Sequence, residues 1–128
     1  MSIWILLAVF VGGGIGSCAR HLVNVAGMQV LGTGFPWGTI TVNIVGCALM
    51  GVIVEAMAQR WTVSQEARLF LTTGILGGFT TFSTFSLDTV ALWERGRHDL
   101  AMLYAVLSVA LSLTATGLAM YGMRRALG

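Results

Sequence analysis

Apolar residues fall into four long runs, at about 3–19, 38–58, 69–92 and 100–122, each bounded by charged or turn-forming residues. A helix rises about 1.5 Å per residue and the hydrocarbon core of a bilayer is about 30 Å thick, so roughly 20 apolar residues cross it. The pattern therefore predicts a single four-span membrane domain over residues 1–128, all α-helical. The first connection, from Arg20 to Trp37, carries Gly27, Gly32, Gly34 and Pro36; the second holds Gln59, Arg60, Trp61, Ser64, Glu66 and Arg68; the third is Glu94-Arg95-Gly96-Arg97-His98-Asp99. Trp4, Trp37, Trp61 and Trp93 all fall at run ends, where an indole sets its apolar body in lipid and its N–H near water. Pro36 precedes the second run, and the first turn of a helix tolerates its missing N–H.

Composition narrows the class further. Of 128 residues, 56% are hydrophobic and 9% charged, against roughly 25% charged in soluble domains. Seven Arg, no Lys, three Glu and two Asp cannot cover the surface of a small soluble globule. Soluble enzymes, nucleic-acid binders and disordered chains are excluded. The net charge is only +2 and no basic cluster exceeds Arg124-Arg125, so no nucleic-acid partner is expected. Cys18 and Cys47 lie within apolar runs and read as free thiols acting as small hydrophobes. Ile15-Gly16-Ser17-Cys18 faintly resembles a lipoprotein cleavage site, but no basic segment precedes it and three runs follow; the first run is expected to stay as a span.

Four spans put Arg60, Arg68, Arg124 and Arg125 on one side and Arg20, Arg95 and Arg97 on the other. That near balance gives the positive-inside rule little to act on. Insertion in both orientations is expected, with oppositely inserted copies paired about a two-fold axis in the membrane plane.

Several polar residues lie at membrane depth. Gly12 and Gly16 form a Gly-x-x-x-Gly step, which allows close helix packing; the glycine cluster around them lacks phosphate-loop spacing. Asn43 must face protein or a cavity, either as an interhelical hydrogen bond or as an N–H donor to a passing anion. The segment Gly74–Ser86 combines glycines with Ser/Thr, poor helix formers in mid-span. It predicts a broken third helix, whose freed carbonyls suit a cation and whose N–H groups suit an anion. Phe82 and Phe85 stand amid its hydroxyls. In the fourth run Tyr104, Ser108, Ser112 and Thr116 recur every four residues and share one face, as helix glue or as the wall of a polar pathway. Thr114 points elsewhere.

These residues resemble the Fluc family of small, dual-topology microbial fluoride channels over the whole chain. The resemblance rests on Gly13-Gly14 with Gly16 and Arg20, on Gly38-Thr39 with Asn43 and Gly46, and above all on Gly77-Gly78-Phe79-Thr80-Thr81-Phe82-Ser83-Thr84-Phe85-Ser86. His21 departs from it, standing where an aromatic such as Tyr is expected. The resemblance implies an antiparallel homodimer in a bacterial inner membrane, with two fluoride pores and a structural sodium ion held by the carbonyls of Gly77 and Thr80. It implies a fluoride pathway of Asn43, Phe82, Phe85, Tyr104, Ser108 and Ser112. Fluoride is small and strongly hydrated, so donors and positive ring edges must replace its water, while a full charge at mid-span would hold it too tightly for conduction.

The competing reading is a proton-coupled small multidrug exporter. It would want a carboxylate deep in a span, whereas Glu55, Asp88 and Glu94 lie toward run ends, where solvation or vestibule lining is expected. A membrane enzyme lacks a constellation, since His21 and His98 sit in separate connections without a partner nucleophile or ligand. A bare assembly subunit leaves the polar third span unexplained.

Overall fold

The computed structural model describes residues 2–128. Its elements are helices α1 (Ile3–Leu31), α2 (Trp37–Gln59), α3 (Gln65–Leu69), a wide π-type segment (Phe70–Leu76), α4 (Gly77–Phe79), α5 (Phe82–Glu94) and α6 (His98–Leu127). No strand occurs among the described residues. Gln65–Glu94 acts as one interrupted span, so four helical units are long and apolar enough to cross a membrane.

Helix α1 outlasts the apolar run that begins it. Most of the expected first connection is helical, through Arg20, His21 and Asn24 to Leu31. The reason is that hydropathy registers contact with lipid, whereas His, Asn and Arg all tolerate a helix interior. Ser2 caps its start through Trp4 N–H. Its end comes at Gly32, where φ is 82°, a value that favours a residue without Cβ.

Helix α2 packs along α6, and α1 packs along the π segment and α4. The second contact is backbone on backbone. A Cβ on Gly12 would lie 2.6 Å from the Phe70 carbonyl oxygen, and one on Gly16 would strike the Ile75 carbonyl. Gly74 opposes Gly12, and Gly78 lies against the Gly13 carbonyl and the Ser17 amide, so helix axes approach without side chains between them. The small core gathers Ile40, Leu92, Ala101 and Tyr104.

Glu55 differs from expectation. It lies near the end of α2 yet is only 4% exposed, held by Arg124 Nε at 2.9 Å, Arg124 Nη2 at 3.2 Å and Gln59 Nε2 at 3.2 Å. A carboxylate leaving water needs such partners, and the guanidinium comes from 69 positions away. Arg60 adds a second tie between the same helix ends, with Nε and Nη2 on the Leu127 carbonyl at 3.0 and 2.8 Å.

Candidate functional site

The third span breaks at Thr80 and Thr81, both extended. No helical turn bridges them, so the carbonyls of Gly77, Gly78, Phe79 and Thr80 lose their i+4 amides. Local chemistry explains the break. Thr80 turns both its N–H (3.0 Å) and its hydroxyl (2.9 Å) onto the Leu76 carbonyl, closing the first half. Thr81 begins the second half as an N-cap, its Oγ1 accepting from Thr84 N–H at 3.2 Å, the usual service of a threonine there. That cap leaves the amides of Phe82 and Ser83 at the positive end of a 13-residue helix.

Asn43 splints the break from α2. Its Nδ2 donates to the Thr81 carbonyl at 3.0 Å and its Oδ1 accepts from Thr81 N–H at 2.8 Å. Both faces of the amide are engaged, with one N–H left over. Gly46, one turn on, lets the Thr80 methyl seat against α2. From α1, Arg20 Nε donates to the Gly78 carbonyl at 3.0 Å.

Beside the break lies a groove of about 340 Å³. Asn43, Phe82, Phe85, Ser108 and Ser112 all line it, together with Thr80 and Thr81. The rings of Phe82 and Phe85 stand 5.5 Å apart at 55°. Phe82 is 78% exposed, so its ring belongs to no core within this chain. Ser108 is 5% exposed, and its Oγ is the one buried side-chain polar atom among the described residues without a hydrogen-bond partner. Cys47 also lines the groove; its position one helical turn from Asn43 is the sequence signal that could have placed it there.

Tyr104 stands apart from this lining. It is fully buried, packs on Phe85 at 5.3 Å and donates its hydroxyl to Asp88 Oδ2 at 3.1 Å. Asp88 lines a second recess of about 290 Å³ with Asn24, Thr39, Thr84 and Arg95, so Tyr104 touches both cavities' walls. Farther along the same stripe, Thr116 donates to the Cys47 carbonyl at 2.9 Å and acts as a tie between α6 and α2. Thr114 is exposed.

The break can be tested as a cation seat by its chemistry. Among the described residues no hydrogen bond reaches the Gly77 or Thr80 carbonyl, because Thr81 N–H goes to Asn43 and Thr84 N–H to Thr81. Free carbonyl oxygens suit a hard monovalent cation. No three His, Cys, Asp or Glu side chains gather as a metal site among the described residues, so the ligands here are backbone oxygens. They fit sodium in kind.

Comparison with known proteins bears on the same chain. Residues 7–122 match the family model described as CrcB-like protein, Camphor Resistance (CrcB). A "fluoride-specific ion channel FluC" of Granulibacter bethesdensis is 54% identical over 118 residues, covering 92% of this chain and 93% of its own length. Proteins of the same name from Chelativorans sp. and Agrobacterium fabrum are 53% and 54% identical over 110 and 107 residues, covering 86% and 84% of this chain and 88% and 86% of their own lengths. With four membrane-crossing helical units and relatives at this identity over nearly its whole length, the chain belongs to the CrcB-like family of membrane proteins, the Fluc channels.

Proposed function

We propose that the chain is a fluoride-selective channel that lets fluoride leave the bacterial cytoplasm passively across the inner membrane. The groove carries this reading: a single concavity holds an amide, two phenyl rings and two hydroxyls beside the positive end of α5. Fluoride shedding water needs such donors in succession. Ring edges of Phe82 and Phe85 offer positive quadrupole lobes, the spare N–H of Asn43 and the unpartnered Ser108 hydroxyl offer hydrogens, and the end of α5 offers partial charge. No arginine lines the groove, so no full charge traps the ion. Tyr104 supports the path from behind, packed on Phe85 with its hydroxyl donated to Asp88. The membrane potential supplies about 2.3 kcal/mol per 100 mV, outward for an anion when the cell is negative inside.

The working unit in this reading is an antiparallel homodimer with two pores. Exposure of Phe82 supports it, as does the near balance of arginines. The Gly77 and Thr80 carbonyls would hold a sodium ion, which would supply a positive field beside the break. The proton-coupled exporter loses its best-buried carboxylate, since Glu55, near the end of α2, is committed to Arg124 and Gln59.

The test is fluoride efflux from liposomes containing the purified protein, read with a fluoride electrode against a chloride control. Rapid fluoride-only efflux is expected, and Phe82→Ile should cut it by at least tenfold; silence from intact protein would sink the channel. Sodium has its own test. Replacing it with N-methylglucamine should lower the melting temperature of the detergent-solubilised dimer, because a ligand bound only to the native state stabilises it. An unchanged melting temperature would remove sodium from the assignment.

A further inference from the structure

The stripe Gly12, Gly16, Arg20 recurs every four residues on α1 and so forms one face. Its first two members dock the π segment and α4 backbone to backbone. Its third meets the place where that backbone fails to satisfy itself. Gly78 would receive Phe82 N–H in a continuous helix, and the break at Thr80–Thr81 takes that donor away. Gly78 is half-buried, and a carbonyl largely shielded from water is costly to leave without a donor. Arg20 Nε supplies the missing hydrogen at 3.0 Å across the α1–α4 contact. The terminal nitrogens of Arg20 make no hydrogen bond to the described residues, so this one bond is its tie to the protein.

We propose that Arg20 is a positioning residue of the ion pathway, a surrogate backbone amide that fixes the first half of the break, as Asn43 fixes the second. Gly78 lies between Gly77 and the Thr80–Thr81 step, and four residues before Phe82. Holding its carbonyl sets the direction in which the free Gly77 and Thr80 carbonyls and the Phe82 ring project. The guanidinium charge is incidental to this role. The proposal rests on the channel reading for its effect on flux, but its structural half stands independently.

Side-chain chemistry separates a positioning role from an electrostatic one. The bonding atom, Nε, is the fourth along the arginine side chain. Glutamine carries its amide nitrogen at the same fourth position, planar and uncharged. Lysine keeps the charge and puts a methylene there. Methionine keeps neither donor nor charge. We therefore compare Arg20→Gln, Arg20→Lys and Arg20→Met in the full chain, by fluoride efflux from liposomes and by hydrogen–deuterium exchange of amides 78–84.

Arg20→Gln should conduct within about threefold of the parent and exchange like it. Arg20→Lys and Arg20→Met should lose at least tenfold in efflux and exchange at least tenfold faster at 78–84, with α6 unchanged. Wild-type flux from Lys with loss from Gln would show that charge is what matters and would overturn the proposal. So would full activity in all three, or loss of flux with parental exchange. If Met does not fold, the Gln–Lys pair decides; if Lys also fails, Gln alone decides, folded and conducting or not. Failure of Gln itself to fold counts against the proposal, since the donor is retained. Should the parent conduct no fluoride, the channel reading fails, while the exchange comparison still decides whether Arg20 holds the break.

Discussion

At Gly16 an added methyl would strike the Ile75 carbonyl and crowd the Phe79 amide, whereas at Gly122 nothing stands within 4 Å. The two glycines should therefore answer alanine oppositely. Gly16→Ala must push α1 off the third span, and overpacking of this kind costs roughly 1–3 kcal/mol. Gly122→Ala removes a poor helix former from α6, a change on the order of 0.5–1 kcal/mol in favour of the fold. Thermal unfolding in detergent checks both; a neutral Gly16→Ala would mean the helix contact is looser than described. Residue identity told less at other sites. A polar side chain at membrane depth was visible in Asn43, together with its two possible fates. Its partner was not, because the Thr81 amide and carbonyl become available only when the third span breaks. Arg20 is the same case, since it answers a carbonyl 58 positions away.

Elements show where hydropathy serves and where it stops. The glycine- and hydroxyl-rich stretch is where the third span parts, and local chemistry suffices to explain it: Thr80 closes one half and Thr81 opens the next. The length of α1 was not readable in the same way. Arg20, His21, Asn24 and Gln29 interrupt its apolar pattern without breaking the helix, which runs on to Leu31, so an uninterrupted apolar run ends before the helix does. Glu55 escaped for a third reason, since nothing near it in sequence signals that α6 delivers Arg124 beside it. Its environment makes a directional prediction. Arg124→Met strands a carboxylate between α2 and α6, while Glu55→Gln leaves an arginine with ready access to water. The first should lower the melting temperature clearly more than the second. Equal effects, measured side by side, would mean that the carboxylate is not desolvated.

The whole molecule has more apolar surface than it can hide alone. Trp4, Phe10, Val30, Phe82 and Leu113 are each more than two-thirds exposed, far beyond what a water-soluble monomer presents. Lipid and, in the proposed assembly, a second copy are the natural covers. The sequence made the need for a cover plain through its composition; which residues meet which cover depends on the assembled membrane state, which one chain's hydropathy does not encode.

The Ser108 hydroxyl, buried and without a partner, has one more consequence. An unmatched buried donor costs about 1–3 kcal/mol, a cost that alanine at this position would not carry. Ser108→Ala should raise the melting temperature while slowing fluoride efflux. A fall in both would mean that the hydroxyl serves packing. In the proposed channel, durability and throughput would thus be set against each other at a single oxygen atom, and selection for a sturdier protein at this position would give a poorer conductor.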